Sequence, residues 1–300
     1  MQLSAIVPAY NEEHTIQEIT SRLLAVFKKA GLSGEVILVD DGSTDRTLPL
    51  AKELASKHRG VRVLANKTNI GKSAALTKGF RAAKGDYVLF IDADLQQDPE
   101  DIPKFISLLK KYDVVNGWRA DRKDPMGKKF SSYLYNRLAR FLFGIKVHDF
   151  NCGMKAFRRA VTDRMNLRKD EHRNLLILAS EMGYSVGEVK INHHPRAHGK
   201  SKYGITRLLI GFLTLAMLKF RLKFDDSPVV FYTIVSGVIG GLGFLFGVYL
   251  LYEKFFLGQA IGGRPLLLFS VLLMLSGLQI FLFGVLADSI TYLRKEIQEK

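Results

Sequence analysis

Two runs without a charged residue, 229–252 and 265–287, constrain this chain more than any other feature. At about 1.5 Å rise per residue, either run as a helix crosses a hydrocarbon layer of about 30 Å. Only a short link separates them, so the expectation is a two-span hairpin over 228–300 with both flanks on one side of a bilayer. The hairpin also sorts the charge. The chain carries +15 although 47% of it is hydrophobic. Beyond Pro228 five basic groups (Lys254, Arg264, Arg294, Lys295, Lys300) stand against four acidic ones, so nearly all of the excess lies on residues 1–228. A basic body tied to a membrane suits anionic ligands, anionic lipids or both. Lys219, Arg221 and Lys223 precede the first run and Arg294 and Lys295 follow the second, with only Lys254 and Arg264 between them. That bias predicts a multi-pass protein of the cell membrane or an endomembrane, its body on the cytoplasmic side. The run 208–218 is apolar but too short to span, which suits an interfacial connector over 203–227. Cys152 is the only cysteine, so no intrachain disulfide can form, as suits a reducing compartment. No basic segment followed by an apolar run opens the chain, and no signal peptide is expected.

Residues 1–202 predict an α/β body. Apolar strands are expected at 3–9, 35–39, 61–65, 87–91 and 114–116. Between them lie an amphipathic helix opening at Asn11, a helix capped by Thr44-Asp45 that reaches His58, and a helix over 71–83. Asp98-Pro99 reads as an N-cap followed by proline at the first helical position. Strands separated by helices imply a mostly parallel sheet covered on both faces, with ligands at the carboxyl ends of its strands. Residues 120–205 read as more basic and less regular.

Polar clusters fall at three of those strand ends. Asp92-Ala93-Asp94 follows the very apolar Tyr87-Val88-Leu89-Phe90-Ile91, and alternate residues of an extended chain point the same way. Two carboxylates facing one site repel each other unless a cation joins them. Mg2+ or Mn2+ bridging a diphosphate fits, because both favour oxygen ligands and retain substrate phosphates; Gln96 offers an amide oxygen. The plainer reading is a pair of solvated turn aspartates. Asp40-Asp41 end the second strand, where a carboxylate accepts hydrogen bonds from a nucleobase or a ribose hydroxyl. Pro8, Tyr10 and Glu12 supply one wall of such a nucleoside pocket.

These segments carry a resemblance. Ile6-Val7-Pro8-Ala9-Tyr10-Asn11-Glu12, Val39-Asp40-Asp41-Gly42-Ser43 and Asp92-Ala93-Asp94-Leu95-Gln96, in this order, resemble family 2 glycosyltransferases, whose sugar-nucleotide domain has the glycosyltransferase A-type, Rossmann-like fold. Pro195-Arg196-Ala197-His198-Gly199-Lys200-Ser201-Lys202-Tyr203, followed by the connector and hairpin, is similar to the polyprenyl-phosphate (dolichyl- or undecaprenyl-phosphate) hexose synthases. The resemblance implies transfer of a hexose, with inversion, from a nucleotide sugar of the GDP-mannose or UDP-glucose type to polyprenyl phosphate. It implies that Asp92, Asp94 and Gln96 hold the metal. Pro8, Tyr10, Glu12, Val39, Asp40, Asp41 and Ala93 would line the donor site. Arg119 with Lys128 and Ser132 would bind the acceptor phosphate, and Arg196, Lys200 and Lys202 would neutralise phosphates from the far side. Lys128 departs from the family's frequent arginine, which retains charge but loses a bidentate fork. Asp149, Asn151, Gly153 and Glu171-His172-Arg173 resemble segments near the acceptor. A homo-oligomer, by resemblance a tetramer, is expected. Processive members carry a Gln-x-x-Arg-Trp motif; Trp118 is the only tryptophan and does not form one.

Other readings carry less. Gly71-Lys72-Ser73 mimics the end of a P-loop, but Asn66 stands where that motif needs glycine, and Lys72 reads as a helix-face or pocket-edge residue. His193-His194, adjacent on a strand, point to opposite faces and make a poor metal pair. No nucleic-acid motif accompanies the basic residues, so no nucleic-acid partner is expected. A non-catalytic membrane scaffold would not need the intact acidic pair. A lipid hydroxyl such as that of diacylglycerol is the alternative acceptor.

Overall fold

The computed structural model describes residues 2–120, 126–195, 206–224 and 227–299. Seven strands form one sheet: β1 (Leu3–Ala9), β2 (Gly34–Asp40), β3 (Val61–Ala65), β4 (Tyr87–Ile91), β5 (Val114–Trp118), β6 (Met154–Arg158) and β7 (Val186–Lys190). Their order is β3-β2-β1-β4-β6-β5-β7. β6 runs antiparallel to β4 and β5, and the other pairings are parallel. β1 and β4 are buried on both faces and so read as continuous apolar runs; they and the half-buried edge strand β3 match the sequence expectation end to end.

Helices α1 (Ile16–Lys29), α2 (Thr47–Lys57), α3 (Lys72–Ala82), α4 (Ile102–Leu108), α5 (Met126–Phe143), α6 (Arg159–Asp163) and α7 (Leu175–Glu181) complete this body. α1 shows the pattern most plainly. Ile16, Ile19, Leu23, Val26 and Phe27 recur at three- and four-residue spacing and are buried, while acidic Glu18 sits in its first turn and Lys28 and Lys29 in its last.

Three local expectations are corrected. The first helix opens at Ile16, because Asn11 takes a left-handed φ of 57° and spends its side chain on the neighbouring loop. The second opens at Thr47, with Asp45 folding back onto Thr47 N at 2.9 Å and Glu13 N at 3.2 Å. Asp98 does stand at the N-cap position with Pro99 first, as expected, but the element it opens is the 3-10 turn Pro99–Asp101 and its carboxylate makes no cap bond, pairing instead with Arg22 and His194.

The chain divides into two compact units, Met1–Leu213 and Thr214–Lys300. Helix α8 (Thr206–Phe224) runs across that division. In the second unit α9 (Pro228–Phe256) and α10 (Pro265–Glu299) form a hairpin, and two 29-residue stretches, whose 18-residue apolar windows have mean hydropathy 2.1 and 2.4, are long and apolar enough to cross a membrane. Small residues let the two helices approach. A Cβ added at Gly243 would stand 2.7 Å from Ser270 O, and one at Gly277 2.8 Å from Gly240 Cα. Near the hairpin turn Arg264 pairs with Glu253, whose other oxygen accepts from Tyr249 Oη at 2.9 Å.

Candidate active site

The carboxyl ends of β1, β2 and β4 open into a cleft of about 270 Å³ lined by Pro8, Ala9, Tyr10, Glu12, Asp41, Asn69, Gly71, Lys72, Ala75, Asp92, Ala93 and Asp94. Seven of these residues were singled out in the sequence as donor or metal residues. They are far apart in the chain, and the parallel register of β1 with β2 and β4 is what gathers them.

The loops after β1 and β2 are laced together. Asn11 N donates to Ser43 Oγ at 3.0 Å, Thr44 N to Asn11 Oδ1 at 2.9 Å, and Glu12 N to Thr47 Oγ1 at 2.7 Å. This lattice holds the half-exposed ring of Tyr10 at the cleft mouth. Asp40 is buried and does not line the cleft. Its Oδ2 accepts from Gly42 N and Ser43 N at 3.2 Å, closing the turn in which Gly42 takes φ 72°. Its Oδ1 is buried without a hydrogen-bond partner among the described residues. Asp41 does line the cleft, yet both its oxygens are engaged: Oδ1 accepts from Asn66 Nδ2 at 2.9 Å and Ile70 N at 3.2 Å, and Oδ2 from Gly71 N at 2.8 Å. It therefore anchors the loop leading into α3. Val39 is fully buried and contributes no cleft surface.

Asp92 and Asp94 flank Ala93 directly after β4. Lys72, at the start of α3, places its ammonium on Asp92 Oδ1 and 4.8 Å from the Phe90 ring centre. Backbone holds the other side: Asp92 N donates to Gly153 O at 3.0 Å, and a Cβ at residue 153 would collide with Asp92 Oδ2. Asp94 is nearly buried, and its Oδ1 accepts from Gln96 N at 3.2 Å. Leu95, between them, takes a left-handed φ of 57°, a strained conformation for a branched side chain. Gln96 does not line the cleft; its amide donates to His194 O at 3.4 Å. His193 is buried and His194 exposed, as residues on opposite faces should be. Burial pushes the Asp98 carboxyl up, but hydrogen bonds from His194 (2.8 Å) and Arg22 (2.7 Å) outweigh it and hold it below the usual carboxylate range.

Arg119 leaves the end of β5 and grips Asp149, Nε to Oδ2 at 2.6 Å and Nη2 to Oδ1 at 3.0 Å, with Asn151 O 3.2 Å away. This group is not part of the cleft lining. Ser132 lies half-buried on α5; the Lys128 side chain and Arg196, Lys200 and Lys202 lie outside the described residues. Two features escaped sequence reasoning. Lys155 in β6 is fully buried, its ammonium on Cys152 O, and burial pushes it down to about 8. The same enclosure pushes the Cys152 thiol up to about 11. Glu188 in β7 gathers the 148–149 backbone. A charged residue inside a short strand hides that strand from periodicity, so nothing in the sequence marked either.

Comparison with known proteins agrees with this architecture. The model for "Glycosyl transferase family 2" matches residues 4–165. The chain is 35% identical over 304 residues to dodecaprenyl-phosphate galacturonate synthase of Rhizobium johnstonii, covering 99% of this chain and 90% of that protein. It is 33% identical over 308 residues to undecaprenyl-phosphate 4-deoxy-4-formamido-L-arabinose transferase of Pseudomonas aeruginosa, covering 99% and 87%. Among solved structures, glucosyl-3-phosphoglycerate synthase from Mycobacterium tuberculosis, in complex with Mn2+, uridine diphosphate and phosphoglyceric acid, superposes with a TM-score of 0.55 at 22% identity, covering 74% of this chain and 78% of that one. A mannosyltransferase from Pyrobaculum calidifontis, in complex with GDP-Man and Mn2+, gives 0.53 at 20% identity, covering 75% and 64%. At these identities the likeness is one of fold.

Proposed function

The chain belongs to glycosyltransferase family 2 and is a sugar transferase, and from that premise we propose that it moves a hexose from a nucleoside-diphosphate donor to the phosphate of a membrane-embedded polyprenyl phosphate. The observation that carries this reading is the cleft at the strand ends, where Asp92 and Asp94 meet Tyr10, Glu12 and Lys72. Two relatives whose names specify polyprenyl-phosphate chemistry match over 99% of the chain, hairpin included.

The donor set suits a divalent cation. Among the described residues no three His, Cys, Asp or Glu side chains gather as a metal cage. Asp92 and Asp94 would hold such an ion through two carboxylates, an oxygen donor set that hard ions such as Mg2+ or Mn2+ prefer. When bound, such an ion would supply positive charge to the leaving diphosphate. Tyr10 and Glu12 form a wall of the donor site, and Lys72 brings a cation beside Asp92.

A phosphate monoester has its second pKa at about 6, so the acceptor is already mostly a dianion at neutral pH. The reaction then asks for positioning and counter-charge rather than for a strong general base. Arg119, Lys128 and Ser132 would take the acceptor phosphate; Arg196, Lys200 and Lys202 would shield the two anions from each other. The charge bias around the apolar runs supports a cytoplasmic catalytic unit.

The test uses full-length protein in detergent with radiolabelled nucleotide sugars carrying glucose, mannose or galacturonate. Label should pass to polyprenyl phosphate and not to diacylglycerol, and Asp94→Ala should abolish transfer without altering thermal unfolding. Labelling of diacylglycerol alone would overturn the acceptor, and wild-type turnover by Asp94→Ala would overturn the metal site.

A further inference from the structure

Glu188 lies outside the cleft lining, yet both its carboxylate oxygens are engaged. It sits on β7 opposite Asn116 of β5, and its side chain is only 10% exposed. Oε1 accepts from His148 N at 3.0 Å, Asp149 N at 3.2 Å and Asn116 Nδ2 at 3.2 Å. Oε2 accepts from His148 N at 3.0 Å and lies 2.8 Å from His148 Nδ1. Asn116 Nδ2 also donates to Asp149 O at 2.8 Å, so the 148–149 segment is held through both its N–H groups and its carbonyl. The His148 ring stacks on Trp118 at 4.1 Å and 13°, and Trp118 precedes Arg119 directly.

The consequence falls on Arg119. A carboxylate this little exposed is unfavourable unless donors surround it, and apart from Asn116 Nδ2 these donors belong to the one short segment that presents Asp149. The Asp149 carboxylate in turn sets the guanidinium plane of Arg119 through two parallel hydrogen bonds, a geometry that fixes orientation as well as charge. We propose that Glu188 is a positioning residue for the transfer reaction: by fixing the 148–149 backbone it fixes Asp149, and through Asp149 it aims Arg119 at the acceptor phosphate. This inference rests on the assignment of Arg119 to that phosphate.

The atoms involved predict which substitution is tolerated. In Glu188→Gln the remaining carbonyl oxygen can keep the three contacts of Oε1, while the new amide donates to Nδ1 of the other neutral His148 tautomer. Glu188→Ala removes all of these contacts at once and leaves the segment only the bond from Asn116 Nδ2 to Asp149 O. Binding of undecaprenyl phosphate to the full chain in detergent, followed through the fluorescence of Trp118, the only tryptophan, gives a readout that needs no turnover. Glu188→Ala should weaken that binding at least tenfold, Glu188→Gln less than threefold, and manganese–uridine diphosphate binding should change less than twofold in both. Arg119→Gln should also weaken undecaprenyl phosphate, and the double variant Glu188→Ala/Arg119→Gln should be no more than threefold weaker than Arg119→Gln alone. Wild-type affinity in Glu188→Ala beside a weakened Arg119→Gln, or additive losses in the double variant, would overturn the positioning role. Unchanged affinity in Arg119→Gln would instead sink the acceptor assignment. Should Glu188→Ala fail to fold, Asn116→Ala, which removes the second tether without removing a charge, carries the same expectation at three- to fivefold, and no loss there overturns the proposal.

Discussion

Replacing Lys155 by methionine should change how the catalytic unit's stability depends on pH. The ammonium is fully buried in β6, and desolvation brings it down to about 8 although Asp149 and Asp92 pull the other way. In the unfolded chain a lysine titrates near 10.4, so the two states differ by roughly two and a half pH units, on the order of 3 kcal/mol. The sign follows from linkage: between pH 8 and 10.5 the unfolded chain binds more protons than the folded one, so stability rises with pH through that window. Below pH 8 both states are protonated, and the folded protein bears the full cost of a buried charge. Methionine conserves length and has no proton to lose. The gap in melting temperature between wild type and Lys155→Met should therefore shift in favour of wild type by about 5–10 °C from pH 7.5 to 10.5, taking about 2–4 °C per kcal/mol for a domain of this size. Trp118 is the only tryptophan and lies in the catalytic unit, so its emission during heating reports the right transition. Parallel curves for the two proteins across that range would show that Lys155 titrates normally, and the burial argument would fail.

Three further substitutions probe the cleft and its margin. Lys72→Met removes the cation that already neutralises Asp92, so manganese binding without donor, measured by calorimetry, should tighten up to about fivefold, the size of a half-exposed ion pair worth about 1 kcal/mol. Gly153→Ala should push Asp92 out of place and lower transfer by about 100-fold, as a misplacement near 1 Å commonly does, while thermal unfolding stays within a few degrees; normal turnover would show that the close approach has no consequence. Asp98→Asn removes a carboxylate whose pKa is depressed by His194 and Arg22. Its contribution, about 1 kcal/mol, is present above pH 4 and lost as pH falls through the depressed value, so wild type and variant should converge in melting temperature only in acid.

The sequence was most legible where burial is symmetrical. β1 and β4 are buried and almost wholly apolar on both faces, and their boundaries need no tertiary information. β6 and β7 were not legible, because Met154-Lys155-Ala156-Phe157-Arg158 and Val186-Gly187-Glu188-Val189-Lys190 interrupt the apolar pattern with charges that only the folded environment explains. Lys155 finds a carbonyl in the turn just before its own strand, and Glu188 finds a loop far away in the chain, and strand periodicity reports neither. The cleft shows the same division. Residues directly after strands could be placed from the strand pattern alone, whereas Asn69, Gly71 and Ala75 enter the lining through a loop whose path is set by Asp41.

The strand-end aspartates show why residue type alone does not assign a role. Asp40, Asp41, Asp92 and Asp94 occupy equivalent places in the pattern, yet their engagements differ. Asp40 closes its own turn, Asp41 holds the approach to α3, Asp92 carries Lys72, and Asp94 closes on Gln96 N. A carboxylate whose oxygens already accept several backbone N–H groups has little left for a ligand, and its removal acts through the loop it held. Asp41 thus bears on the donor site through geometry: the segment it fixes delivers Asn69 and Lys72 to the cleft. Asp92 differs because its partner is a side-chain ammonium, which can leave a carboxylate without unmaking the fold. A divalent cation can therefore take the place of Lys72 on Asp92 without unmaking a loop, which supports the metal site proposed at the end of β4 over one at the end of β2.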